Sequence, residues 1–86
     1  MISIGEFTAQ VQALRDTKEI LEPLDWNSIL EDAGYYSIKF RPKTKQCWDW
    51  CVKEFGQGHI AWTGSNFFFE TEQDAIMFVL RWGRDN

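Results

Sequence analysis

Cys47, Cys51 and His59 are the residues whose side chains could support metal binding or nucleophilic catalysis. The two cysteines are four residues apart, which places them on one face of a helix. A structural zinc site needs four ligands, and cysteine ligands usually come in closer Cys-x-x-Cys pairs. A cysteine nucleophile needs a base beside it, and nothing in the sequence fixes His59 next to either thiol. We therefore expect two buried cysteines that pack in the core, with no metal, no cofactor and no catalytic residues.

Other catalytic motifs are missing from the sequence. It contains no Gly-x-Gly-x-x-Gly, no Walker-type phosphate loop and no His-Glu-x-x-His. Gly56-Gln57-Gly58 is typical of a helix end followed by a turn. The acidic residues near 31 and 72 stand where helix ends and caps are expected. The sequence therefore does not predict an enzyme.

Length and composition indicate one compact domain over residues 1–86. The chain is 44% hydrophobic and 16% aromatic, with five Trp and seven Phe, which excludes disorder of the whole chain. Its net charge of −4 argues against coating duplex DNA. No apolar run approaches the roughly 20 residues of a membrane span. Residues 1–6 lack the basic and apolar blocks of a signal peptide. We expect a soluble cytoplasmic protein.

Periodicity and caps predict an α+β fold in the order α-α-β-α-β-β-α. The predicted helices start after Ser3, Asp25, Thr44 and Thr71, and the predicted strands cover 35–41, 59–63 and 67–70. The last five elements predict a ferredoxin-like split βαβ variant that lacks its final strand. It is a small antiparallel three-stranded sheet packed against helices, with the third strand in the middle. The helices are expected on one face; an alternative has the first helix cross to the other face.

Aromatic residues predicted on outer helix faces are the candidate protein interface. Trp50 falls between Lys53 and Glu54 on the outer side of its helix. In the last helix, Phe78 is expected on the flank of an inner face. That inner face is predicted to consist of Ala75, Ile76, Val79, Leu80 and Trp82. Exposed large aromatics commonly mark interfaces, so Trp50 and Phe78 are expected to contact another protein or a second copy. Trp82, at the end of the inner face, is included in this candidate interface. The alternative is that the first two helices cover them.

A second hypothesis is single-stranded nucleic-acid binding on the outer face of the sheet. Its residues combine positive charge with aromatic rings, as phosphate contact plus base stacking requires. They are Tyr35, Lys39, Arg41, Lys43 and Phe68. The alternative is an edge strand that its charges protect from pairing. A DNA mimic ranks lower because the net charge is modest.

The C-terminal half resembles a family of phage proteins. The run Phe67-Phe68-Phe69 is followed by Asp74-Ala75, Phe78 and Leu80-Arg81-Trp82-Gly83, and Cys47-Trp48-Asp49-Trp50-Cys51 stands upstream. These residues resemble the ending of small uncharacterised accessory proteins of large tailed phages of the T4-like type. The resemblance implies a small, non-enzymatic accessory protein located in the host cytoplasm. Some proteins of this kind bind and redirect a host factor or defence protein. With the surplus aromatics, it leads us to expect a protein-binding module, with nucleic-acid binding as the alternative.

Overall fold

The computed structural model describes residues 2–17 and 24–83, and it confirms the α+β class and the predicted order of elements. The helices and strands are α1 (Ile4–Thr17), α2 (Trp26–Asp32), β1 (Tyr36–Lys39), α3 (Gln46–Phe55), a short 3₁₀ helix (Gln57–His59), β2 (Ile60–Trp62), β3 (Asn66–Phe69) and α4 (Glu72–Trp82). Among these helices, none combines the length and the apolar character that crossing a membrane requires.

Side-chain caps start three helices where the sequence predicts them. Ser3 Oγ accepts the Glu6 amide at 3.1 Å, and Thr71 Oγ1 accepts the Asp74 amide at 3.1 Å. Asp25 accepts the amide of Ser28 at 3.3 Å. Each cap satisfies an amide that the first helical turn leaves without an intrahelical partner. These local bonds explain why the helix starts could be read from the sequence.

The sheet has the order β1-β3-β2, and both of its pairs are antiparallel, as predicted. Phe68 in the central strand lies opposite Ser37 on one side and Ala61 on the other. Paired residues share a face, so Ser37 and Lys39 point to the Phe68 face, while Ile38 points to the face of Phe67 and Phe69. The two faces carry separate cores.

Helices cover both faces of the sheet, so the expected open face is wrong and the alternative with a crossing first helix is correct. One core packs α3 and α4 against Phe67 and Phe69. The other packs α1 and α2 against Phe68; its buried members are Ile4, Leu30, Tyr35 and Phe68. The physical reason lies in the central strand: three consecutive phenylalanines project rings from both faces, and all three are fully buried.

Close contacts hold α1 against the sheet. The Ile4 amide donates to Glu70 Oε2 at 2.7 Å, which places a carboxylate at the helix N-terminus. The Tyr35 hydroxyl donates to the Ile2 carbonyl at 3.1 Å. A Cβ atom on Gly5 would lie 3.1 Å from the Gly58 carbonyl oxygen, so α1 approaches this backbone closely at Gly5. The start of α1 is therefore fixed by backbone and side-chain contacts together.

The orientation of α4 differs from the sequence prediction. Phe78 is fully buried, with ring centroids 5.2, 5.0 and 5.1 Å from those of Phe40, Phe67 and Phe69. The expectation that Phe78 is exposed is therefore wrong. Conversely, Ile76, Val79 and Leu80 were expected inside and are 51%, 43% and 74% exposed. A sheet covers one side of a helix, and aromatic contacts in the core select the side that carries Phe78.

Candidate protein interface

An apolar groove lies between α4 and the outer edge of β1. Its volume is about 280 Å³. Residues of both elements line it: Tyr36, Ser37 and Ile38 from β1, and Glu72, Ala75, Ile76, Val79 and Leu80 from α4. We call the apolar residues of this lining that are exposed or half-buried, Tyr36, Ile38, Ile76, Val79 and Leu80, the α4–β1 surface.

Two neighbouring apolar stripes on α4 create this surface. The first stripe is Ala75, Phe78 and Trp82, which faces the core. The second is Ile76, Val79 and Leu80, which the helical repeat places beside the first. Because α4 packs against β1 and β3, the second stripe lies beside the edge of β1, where no other element of the described residues covers it. The surface is therefore a consequence of the orientation of α4.

The edge of β1 also presents backbone groups. In the described part of the chain, β1 pairs with β3 and with no other strand. The Phe40 amide donates to the Ser65 carbonyl at 3.0 Å, on the β3 side. Because hydrogen-bonding direction alternates along an antiparallel strand, the backbone groups of Ser37 and Lys39 point to the outer edge. This edge can accept a further strand.

The three predicted interface residues do not form one exposed patch. Phe78 lies in the core, where it cannot contact a partner. Trp50 is half-buried between α3 and α4, edge-on to Phe55 at 5.6 Å and to Trp82 at 6.3 Å. The Arg81 guanidinium lies 4.2 Å from the centre of the Trp82 ring. Binding through the remaining exposed parts of Trp50 and Trp82 stays a prediction.

The residues predicted for nucleic-acid binding are separated by burial. Tyr35 and Phe68 are buried under α1 and α2, so neither ring can stack on a base. Burial, with Glu70 and Glu6 nearby, also raises the pKa of the Tyr35 hydroxyl. Lys39, Arg41 and Lys43 are exposed as expected. The positive charges that nucleic-acid binding would need are therefore exposed, but the two aromatic rings that would stack on bases are not.

The cysteines and the histidine do not meet in a reactive site. Cys47 and Cys51 are free thiols buried in the core. Burial raises their pKa values to about 11 and about 12. His59 is exposed and its Nδ1 lies 3.0 Å from Glu70 Oε1. Within residues 2–17 and 24–83, no group of three or more His, Cys, Asp and Glu side chains could hold a metal ion.

The sequence contains a signal for the α4–β1 surface that our prediction did not use. Residues 75–80 are six consecutive apolar residues, Ala-Ile-Met-Phe-Val-Leu. Such a run surrounds most of a helix, so one sheet face cannot bury all of it. Some of these side chains must then be exposed or meet another partner.

In comparisons with protein-family models, with curated proteins and with solved structures, nothing matches this chain.

Proposed function

We propose that this chain is a non-enzymatic protein-binding module and that the α4–β1 surface is its binding site. The observation that carries the proposal is the exposure of consecutive apolar positions on one well-formed helix. Four of the six residues from 75 to 80 are at least 40% exposed: Ile76, Met77, Val79 and Leu80. Contiguous apolar surface of this kind marks interaction sites on proteins.

The composition of the surface fits a protein partner better than a small polar substrate. Apolar side chains line the groove, and the Glu72 carboxylate stands at one end of it. The groove therefore has an apolar centre with one carboxylate in its lining. Removing apolar area from water contributes about 25 cal/mol per Å², so covering this centre favours association.

Two kinds of protein partner are compatible with the proposal. The resemblance of residues 47–83 to accessory phage proteins supports a host factor. The surface itself, through its edge strand, supports a second copy of the chain. In both cases the same side chains on α4 make the contact.

Photo-crosslinking tests the proposal. A photoreactive amino acid is placed at Leu80 and, as a matched control, at Leu14, an exposed leucine on α1 that is 59% exposed. We expect irradiation of cells that produce the full chain to give a discrete covalent protein adduct from position 80 and none from position 14. Ile76→Glu in the same chain should abolish the adduct. Absence of an adduct from position 80, or an equal yield from both positions, would refute the proposed function.

A further inference from the structure

We propose that the partner on the α4–β1 surface is a second copy of this chain, joined by antiparallel pairing of the two β1 strands. The inference rests on the proposed function and names the partner of its site. The resulting assembly has a two-fold axis perpendicular to the sheet and a continuous six-stranded sheet, since each copy contributes three strands.

Backbone geometry favours a register centred on Ile38 over one centred on Ser37. Ser37 and Lys39 direct their amide and carbonyl groups to the outer edge of β1. If Ile38 faces Ile38 of the second copy, Ser37 lies opposite Lys39 of that copy, and Lys39 lies opposite its Ser37. Both pairs are then hydrogen-bonded pairs, each exchanging two bonds. A register centred on Ser37 would instead use the amide of Tyr35, which already donates to the Leu30 carbonyl at 3.2 Å.

The same axis brings the apolar side chains together. A two-fold axis perpendicular to the sheet keeps each face on its own side, so the two α4 helices lie on the same face of the joined sheet. The stripe of Ile76, Val79 and Leu80 overhangs the edge of β1 and meets the equivalent stripe of the second copy. The α4–β1 surface is therefore covered by itself, as an isologous interface requires.

Charge complementarity favours a second copy over an unrelated extended peptide. Glu31 and Asp32 end α2 just before β1, while Arg41 and Lys43 follow it. Antiparallel pairing in the Ile38 register continues to Arg41 opposite Tyr35 of the second copy, beside that copy's Glu31 and Asp32. Because the two-fold axis relates the two copies, this pairing of basic and acidic residues occurs at both ends of the joined β1 strands. Opposite charges at both ends select this orientation over a parallel one.

Lysine on an edge strand commonly prevents pairing, but the position of Lys39 is compatible with this assembly. Its side chain points to the Phe68 face, away from the apolar stripe of α4. In the Ile38 register it stands opposite Ser37 of the second copy and not opposite the other Lys39. The like charges are therefore diagonal neighbours, and the side chains at the centre of the seam are apolar.

Sedimentation and disulfide trapping test the proposal on the purified full chain. We expect a monomer–dimer equilibrium in which Leu80→Glu raises the dissociation constant about a hundredfold, because the change occurs twice per dimer. Leu14→Glu, the matched control, should leave the constant unchanged. Ile38→Cys should form a symmetric disulfide on mild oxidation. Residue 38 and its copy form a non-hydrogen-bonded pair in this register, and the Cα atoms of such a pair are about 4.5 Å apart. Leu14→Cys should not form one. Circular dichroism establishes that each variant is folded.

The possible failures are distinguishable. A chain that stays monomeric at high concentration overturns the second copy as partner. A dimer that survives Leu80→Glu and gives no Ile38→Cys disulfide overturns it too, since the contact then lies elsewhere. If the photo-crosslinked adduct from position 80 has another mass than twice that of the chain, the protein-binding function stands and the dimer is refuted. If there is no adduct, the proposed function fails as well.

Discussion

Truncating Phe78 tests which side of α4 is buried. Its ring is fully buried and has three phenylalanine neighbours within 5.2 Å between centroids. Phe→Ala in a core costs about 3–5 kcal/mol through lost transfer energy and the remaining cavity. For a domain of 86 residues the whole free energy of unfolding is about 4–13 kcal/mol. We therefore expect Phe78→Ala to remove a large part of the stability. Leu80→Ala should cost within about 0.5 kcal/mol, since the side chain is 74% exposed.

The assay is urea unfolding followed by far-ultraviolet circular dichroism, at low protein concentration so that association does not contribute. Phe78→Leu supplies a graded variant that keeps most of the apolar volume, with an expected cost of about 1–3 kcal/mol. It keeps the test valid if Phe78→Ala does not fold. If Leu80→Ala lost more stability than Phe78→Leu, the helix would present its other stripe to the core, and the α4–β1 surface would not exist as described.

Two further predictions concern buried or capping groups. Burial raises the pKa of Cys47 to about 11 and that of Cys51 to about 12, so both thiols should resist alkylation at pH 8 until urea unfolds the chain. The fold binds thiol protons more tightly than the unfolded chain, so stability should fall as pH rises above about 9. Cys51→Ala should reduce that slope, and native thiols that react as fast as unfolded ones would contradict the argument. Glu70→Gln removes the negative charge of the carboxylate that accepts the Ile4 amide hydrogen bond at the start of α1. We expect the free energy of unfolding in urea to fall by about 1 kcal/mol and amide exchange at the start of α1 to become faster. Exposed Glu54→Gln is the control, and equal effects of the two changes would refute the cap.

Local signals explain how much of the fold could be predicted. Ser3, Asp25 and Thr71 cap helices through bonds that span three residues, so the sequence window around each contains the information. The sheet order followed from a βαββα pattern with few compact arrangements. The placement of α1 depends on the contact between Ile4 and Glu70, which are 66 residues apart in the sequence. No local sequence pattern predicts that contact.

The errors at the candidate site have one physical cause. Apolar periodicity indicates that a helix has a buried side, but in residues 75–80 nearly every side is apolar. Contacts with the sheet therefore determine which side of α4 is buried. Phe40, Phe67 and Phe69 provide an aromatic cluster that accepts the ring of Phe78. Once that ring is inside, Leu80 must face outward. Tertiary packing thus decided what helix periodicity left open.

The two-sided core changes which residues are available for binding. A sheet open on one face would leave Tyr35 and Phe68 for a partner, but α1 and α2 bury both. The high aromatic content is therefore used largely to build two cores on one thin sheet. What remains apolar and exposed is chiefly aliphatic and concentrated on α4, next to a strand edge with backbone groups to offer. A partner that pairs a strand with the edge of β1 and packs a helix on the aliphatic side chains of α4 would cover both features. The proposed second copy would supply both from one surface, so a single contact would account for the edge and the helix stripe.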